Sequence, residues 1–226
     1  MLLAIDTSTS AIGAAVHDGQ RVLAEVVRED ARRHGELLAP AVVAVLQQAG
    51  VDRRDLTRVV CGVGPGPFTG LRVGVVTALV LAHSLDLPAP DGICSPDALA
   101  HAVVGRHEGE LLVATDARRK EVYWARYAVS PAGARRLDGP GVARAADLPE
   151  SVRTLPTVGR GSRLYPEALG NPLPDGPLDV SPGVLADLAT AVRRGSHPDA
   201  ATGLLPPEPL YLRRPDAVAQ PTGPAR

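Results

Sequence analysis

"GVGPGPFTGLRVGVVTALVLAHSL" spans Gly62–Leu85. Its first half is a glycine-rich loop, and its second half has the apolar spacing of a helix. The stretch before it, Leu56–Val63, reads as a buried strand. Loops between a strand and a helix often hold phosphate through backbone N–H groups. This one fits no phosphate fingerprint. Gly70 is followed by Leu71 where a P-loop needs Lys, and Gly62, Gly64 and Gly66 lead into Pro67 rather than a further glycine. Pro65 and Pro67 have no N–H to offer an anion. A stiff turn that packs strand against helix is the better reading, with Thr69 as N-cap and Phe68 packed on Val73.

The helix is the more telling half. Gly70, Gly74, Ala78 and Ala82 recur every four residues and leave a flat stripe that another backbone can approach. Leu71, Val75 and Leu79 form the next row, and Val76 and Val80 another. A helix apolar nearly all round must be covered on two sides. Its own sheet covers one. The other side is covered either by the neighbouring helix of the same lobe, Glu36–Gln48, or by a second protein that meets both helices. That neighbour carries Leu37, Leu38, Ala41, Val42, Val45 and Leu46 at helical spacing, ends at Gly50, and tolerates Pro40 if it falls in the first turn.

Outward from here the chain reads as α/β. Leu2–Ile5, Ala11–Val16 and Arg21–Val27 are three strands, the last two joined at Asp18-Gly19. "LAID" at Leu3–Asp6 recurs as "VATD" at Val113–Asp116, each followed by polar residues and a further strand, Ala11–Val16 or Glu121–Tyr127. The copies open two halves of similar size. Two related lobes, 1–108 and 109–226, with a cleft between them, are expected. "SPAGARRLDGPGVARAADLPE" reads as loop with a short helix near Ala143–Leu148. Val184–Arg194 reads as a helix capped by Ser181 with Pro182 at its first position. The proline-rich end either returns to the first lobe or lacks regular structure.

Composition narrows the function. The 226 residues are 45% hydrophobic and 22% charged, with net charge −1, so nothing global marks a nucleic-acid or membrane protein. Only 3% are aromatic, so the core must be built of aliphatic side chains. Two cysteines, Cys61 and Cys94, lack metal-ligand spacing and fit a reducing, cytoplasmic compartment. The N-terminus has no basic region ahead of its apolar run, and no apolar run is long enough to span a bilayer. The six histidines include no pair spaced to hold a metal on one helix face, and no GxSxG marks a nucleophile. Asp6 could hold magnesium through water, or cap the strand through an Asx turn. Arg118, Arg119 and Lys120 attract an anion or RNA backbone, or form a solvated turn.

"LLAIDTSTSAIGAAV", "GVGPGPFTGLRVG" and "DARRKEVYWARY" together resemble the bacterial TsaB (YeaZ) proteins, and "PLYLRRPDA" is similar to their closing segment. Pro67 departs from the family's usual Ser. The resemblance implies an actin/sugar-kinase-like (ASKHA) fold of two ribonuclease-H-like lobes. It implies a non-catalytic subunit that pairs with the catalytic paralogue TsaD, and with it the ATPase TsaE, for threonylcarbamoyl transfer to an adenosine beside the anticodon of tRNA. The pairing would use both helices, and the residues taken for it are Leu38, Val42, Val45, Gly70, Leu71, Gly74, Val75, Ala78 and Ala82. Gly74→Leu is then expected to abolish pairing and leave the fold intact. TsaD's metal-binding histidines align with Ser95 and Leu99, which implies no metal and no cofactor. Asp6, Thr7 and Asp116 would be remnants of a nucleotide site. A homodimer through the same helices would cover them without a partner, and tRNA would be reached only indirectly. The alternative is an active ASKHA-type ATPase or phosphotransferase that uses Asp6.

Overall fold

A computed structural model describes residues 1–30, 33–197 and 203–213. Three strands open it: β1 (Leu2–Asp6), β2 (Ala11–His17) and β3 (Val22–Glu29). Helix α1 (His34–Ala49), β4 (Arg58–Gly64), α2 (Phe68–Ser84), β5 (Asp91–Cys94) and α3 (Ser95–His101) follow. They build one sheet in the order β3-β2-β1-β4-β5, antiparallel across β3-β2-β1 and parallel across β1-β4-β5.

The second half starts the same sequence of elements again. Strands β6 (Gly109–Asp116), β7 (Glu121–Ser130) and β8 (Gly133–Arg144) lead through α4 (Glu150–Arg153) to β9 (Thr157–Val158) and α5 (Gly161–Leu164). Their order, β8-β7-β6-β9, copies β3-β2-β1-β4 with the same strand directions. Asp6 and Asp116 each end the first strand of their sheet. The copy is reduced, because α4 and α5 are four residues each where α1 and α2 are 16 and 17. The stretch read as loop is mostly strand: β8 takes up Gly133–Arg144 as an edge, where Gly139 and Pro140 are tolerated.

Side chains of β1 alternate between two cores. Leu3 and Ile5 face α1 and α2, while Leu2 and Ala4 face α3, the second sheet and a last helix, α6 (Pro182–Arg193). Both faces of β1 are therefore covered, which is why it reads as an unbroken apolar run. Between the sheets a buried polar group ties α3 down: Asp97 accepts from Tyr127 Oη at 2.7 Å and from Arg136 Nε at 2.9 Å. A third core on the far side of the second sheet packs Leu112, Ala114 and Val122 against Leu148 and Leu169.

Chain ends return to the first sheet. Helix α6 packs across β1, β2 and β3, and Leu205 exchanges two backbone hydrogen bonds with Gly92 on β5. Helix α6, which follows the second sheet in sequence, thus lies across the first sheet and shares one core with both. The proline-rich end beyond Arg213 lies outside the described residues. Ser181 caps α6 as its sequence predicts: its Oγ accepts from Val184 N at 3.1 Å and donates to Glu25 Oε1 on β3 at 2.6 Å. Ser181→Ala removes the cap and one of two bonds to Glu25, leaving the one from Gly183 N at 3.0 Å. A loss of about 1 kcal/mol is expected in urea unfolding, and an unchanged midpoint would refute their contribution.

Three local expectations are corrected. Helix α2 starts at Phe68, so Thr69 lies inside it and makes no cap; Pro67 precedes it without a side-chain bond. Phe68 stacks on Tyr211, with ring centroids 4.9 Å apart. Pro40 stands in the second turn of α1, where its ring faces solvent. Gly50 does end α1 in the left-handed conformation that glycine tolerates, with φ 64°. Among the described residues no helix is long and apolar enough to cross a membrane, and no three metal-ligating side chains gather.

Candidate functional site

Glycines of the opening loop and helix lie against the turn that follows β1. A β-carbon at Gly62 would overlap the Asp6 carboxylate, and one at Gly66 would overlap the Ser8 carbonyl. At Gly70 it would stand 2.7 Å from Thr7 O, and at Gly74 it would overlap Thr7 Oγ1. Thr7 Oγ1 in turn donates to Gly70 O at 2.7 Å. The loop is thus a close seat for Asp6–Ser8, held from the other side by Tyr123 Oη, which donates to Gly66 O at 3.2 Å.

This seating also fixes where the residues expected to bind a partner lie. Leu38, Val42, Val45, Gly70, Leu71, Gly74, Val75, Ala78 and Ala82 are all buried within the chain itself. At Gly70 the approaching group is the backbone of the chain's own turn after β1, and at Gly74 it is the Thr7 side chain of that turn. The faces of α1 and α2 that remain outside carry different residues. Val43 is 55% exposed, Val76 50%, Leu79 39% and Val80 60%. Val76, Leu79 and Val80 follow helical spacing on one side of α2, next to Phe68 and Arg72. A groove of about 460 Å³ runs along the start of that side, lined by Phe68, Arg72, Val73 and Val76 among others.

The cleft between the lobes is closed. Its cavity measures about 10 Å³, lined by His34, Pro67, Asp116, Arg118, Arg160 and Asp179 among others. That is room for roughly one water molecule. Arg160 on the second lobe bridges Asp179 and Glu29, both at 2.6 Å, and Glu29 ends β3 of the first. Asp116 lines the cavity and is taken by Arg118 at 2.9 Å. Asp6 and Thr7 do not reach it: Asp6 is 1% exposed and Thr7 fully buried. Asp6 Oδ1 accepts from Ser8 N and Ser8 Oγ, both at 2.8 Å, and Oδ2 accepts from Ser95 Oγ at 2.9 Å. A nucleotide with its magnesium, which the fold class implies, does not fit these residues: the carboxylate is sealed and the cavity is too small. Ser95 is spent on Asp6 and Gly64 N, and Leu99 is core. Cys61 and Cys94 are buried, and burial pushes the Cys61 thiol up to about 12, far from a thiolate nucleophile.

Burial raises the Asp6 carboxyl from 3.8 to about 6, against the pull of the Ser8 and Ser95 hydrogen bonds. Below pH 4 the group is protonated whether the chain is folded or not. Between pH 4 and 6 the folded chain keeps a proton that the unfolded chain releases, so stability falls as pH rises. Above pH 6 the full cost, roughly 3 kcal/mol, is present. Asp6→Asn cannot ionise. Its urea stability is expected to lack the parent's decline between pH 4 and 6, and a decline of equal size in both would assign that proton elsewhere.

Two stacked ribonuclease-H-like sheets with a cleft between them define the actin/sugar-kinase-like (ASKHA) class of α/β proteins. Residues 21–154 match the family of TsaD, tRNA N6-adenosine threonylcarbamoyltransferase. YeaZ of Pseudomonas aeruginosa superposes with a TM-score of 0.72 at 26% identity, over 93% of this chain and 99% of that one. The tRNA threonylcarbamoyladenosine biosynthesis protein TsaB of Bacillus subtilis is 38% identical over 127 residues, 56% of this chain and 54% of its own. That match spans about half the length of each. An uncharacterised protein of Mycobacterium tuberculosis is 44% identical over 219 residues, 96% of this chain and 93% of that one. The chain belongs to the TsaD family, in its TsaB/YeaZ branch.

Proposed function

We propose that this protein takes part in tRNA threonylcarbamoyladenosine biosynthesis as a pairing subunit without a catalytic centre of its own. It holds a TsaD paralogue on the outer face of α1 and α2, and through that pair TsaE. The single observation that carries this reading is the exposure of Val76, Leu79 and Val80 on one side of α2, with Val43 exposed on α1, which packs against α2. Bringing such side chains out of water stabilises a complex by about 25 cal/mol per Å² of apolar surface. The alternative, an ATPase acting through Asp6, needs that carboxylate in the cleft, and it lies sealed beneath it.

Gel filtration with light scattering tests the proposal on the purified chain mixed with its TsaD paralogue. A one-to-one complex that replaces the free species is the expected result. Two separate peaks at tens of micromolar would end the proposal. A self-dimer that the paralogue dissolves also supports it, since one face serves both.

A further inference from the structure

Arg118, Arg119 and Lys120 make the turn between β6 and β7, and all three are exposed. Their φ angles are 63°, 52° and 65°. A side chain in this left-handed region costs energy that glycine does not incur. Three long cationic residues in succession there are a standing cost to the fold, and strain of this kind gathers where side chains have a task.

The turn is one end of a ridge. Arg213 Nη1 donates to Ala117 O at 3.0 Å, beside the turn. Two residues before it, Tyr211 stacks on Phe68, and Arg72 lies over the Phe68 ring, 5.2 Å from its centroid. Both rings are open to solvent, at 40% and 37%. Beside the turn Asp116 pairs with Arg118 and Glu121 with Arg213. Cations that take phosphates, alternating with exposed rings that stack on bases, are the chemistry of unpaired RNA.

We infer that this ridge binds RNA directly, with the Arg118–Lys120 turn on the phosphate backbone and the Phe68–Tyr211 pair under an unpaired base. The inference rests on the proposed role in tRNA modification and replaces the expectation that tRNA is reached only indirectly.

Fluorescence anisotropy of the full chain with a labelled tRNA transcript tests it, over a series of salt concentrations. A DNA duplex of matching length serves as competitor. The double variant Arg119→Gly/Lys120→Gly is expected to bind tRNA about tenfold or more weakly, with a salt slope smaller by about 1.4, the value for two single-strand phosphate contacts. Its melting midpoint should rise by a few degrees, about 2–4 °C per kcal/mol of strain removed. A purely structural turn would not give those two opposite signs. Tyr211→Ala should lose about tenfold with the slope unchanged. Parental affinity in the double variant overturns the inference, and so does a DNA duplex that competes as well as tRNA. Pairing with the TsaD paralogue is measured on the same preparations. A chain that pairs but ignores tRNA sinks this inference alone. One that binds tRNA through the turn but never pairs sinks the pairing role alone.

Discussion

A chain carrying Val76→Asp and Val80→Asp is expected to fold as its parent does and to lose its hold on the TsaD paralogue by about a thousandfold or more. The two valines are half or more exposed, so nothing in the chain's own core is disturbed. Aspartate in a helix costs only a few tenths of a kcal/mol relative to valine. In a docked pair the balance differs. Each valine forfeits about 1 kcal/mol of apolar burial, and each carboxylate must leave water for an apolar contact without a partner, at a cost of a few kcal/mol. A combined penalty of about 4 kcal/mol or more is a factor of a thousand in affinity. Titration calorimetry reads the affinity and circular dichroism the fold. Parental affinity in this variant would mean that the outer face of α2 is not where the paralogue sits.

Gly74→Leu gives the opposite pattern. Spacing alone suggests a variant that folds and cannot pair. The structure leads to one that does not fold as a stable lobe. A β-carbon at position 74 overlaps Thr7 Oγ1, and that hydroxyl is bonded to Gly70 O one turn earlier. Helix α2 would have to lift from β1, opening the core of Leu3, Ile5, Val75 and Ala78 and breaking the Thr7 bond. Overpacking with a lost buried hydrogen bond costs about 4 kcal/mol or more. That is a large share of the 5–15 kcal/mol typical of a folded domain. Thermal melting should show a much lower midpoint or no cooperative transition. A parental melt with pairing lost would mean that the glycine stripe faces outward after all.

The contrast between these two variants shows what could be read in the letters. The repeat of "LAID" and "VATD" was legible because β1 and β6 are each first in their sheet, and the doubled topology follows from it. Helix α2 was legible as a helix, but its facing was not. Apolar residues surround it, so periodicity cannot tell inside from outside. The small residues Gly70, Gly74, Ala78 and Ala82 showed that some backbone comes close without showing whose. Helices α4 and α5 escaped because four residues carry no period. Strand β8 was hidden by Gly133, Gly139, Pro140 and Gly141, which an edge strand tolerates. Asp6 was placed correctly at a strand end, but its burial depends on Gly62 and Ser95, which lie far along the chain.

The shrinking of α4 and α5 to single turns has a consequence for stoichiometry. A doubled fold with full helices in both halves would carry two adhesive sides, and copies could add head to tail without end. Among the described residues the second sheet has no counterpart of the long helices α1 and α2 in their places. A pair formed through α1 and α2 is therefore not expected to extend head to tail through an equivalent second face among the described residues.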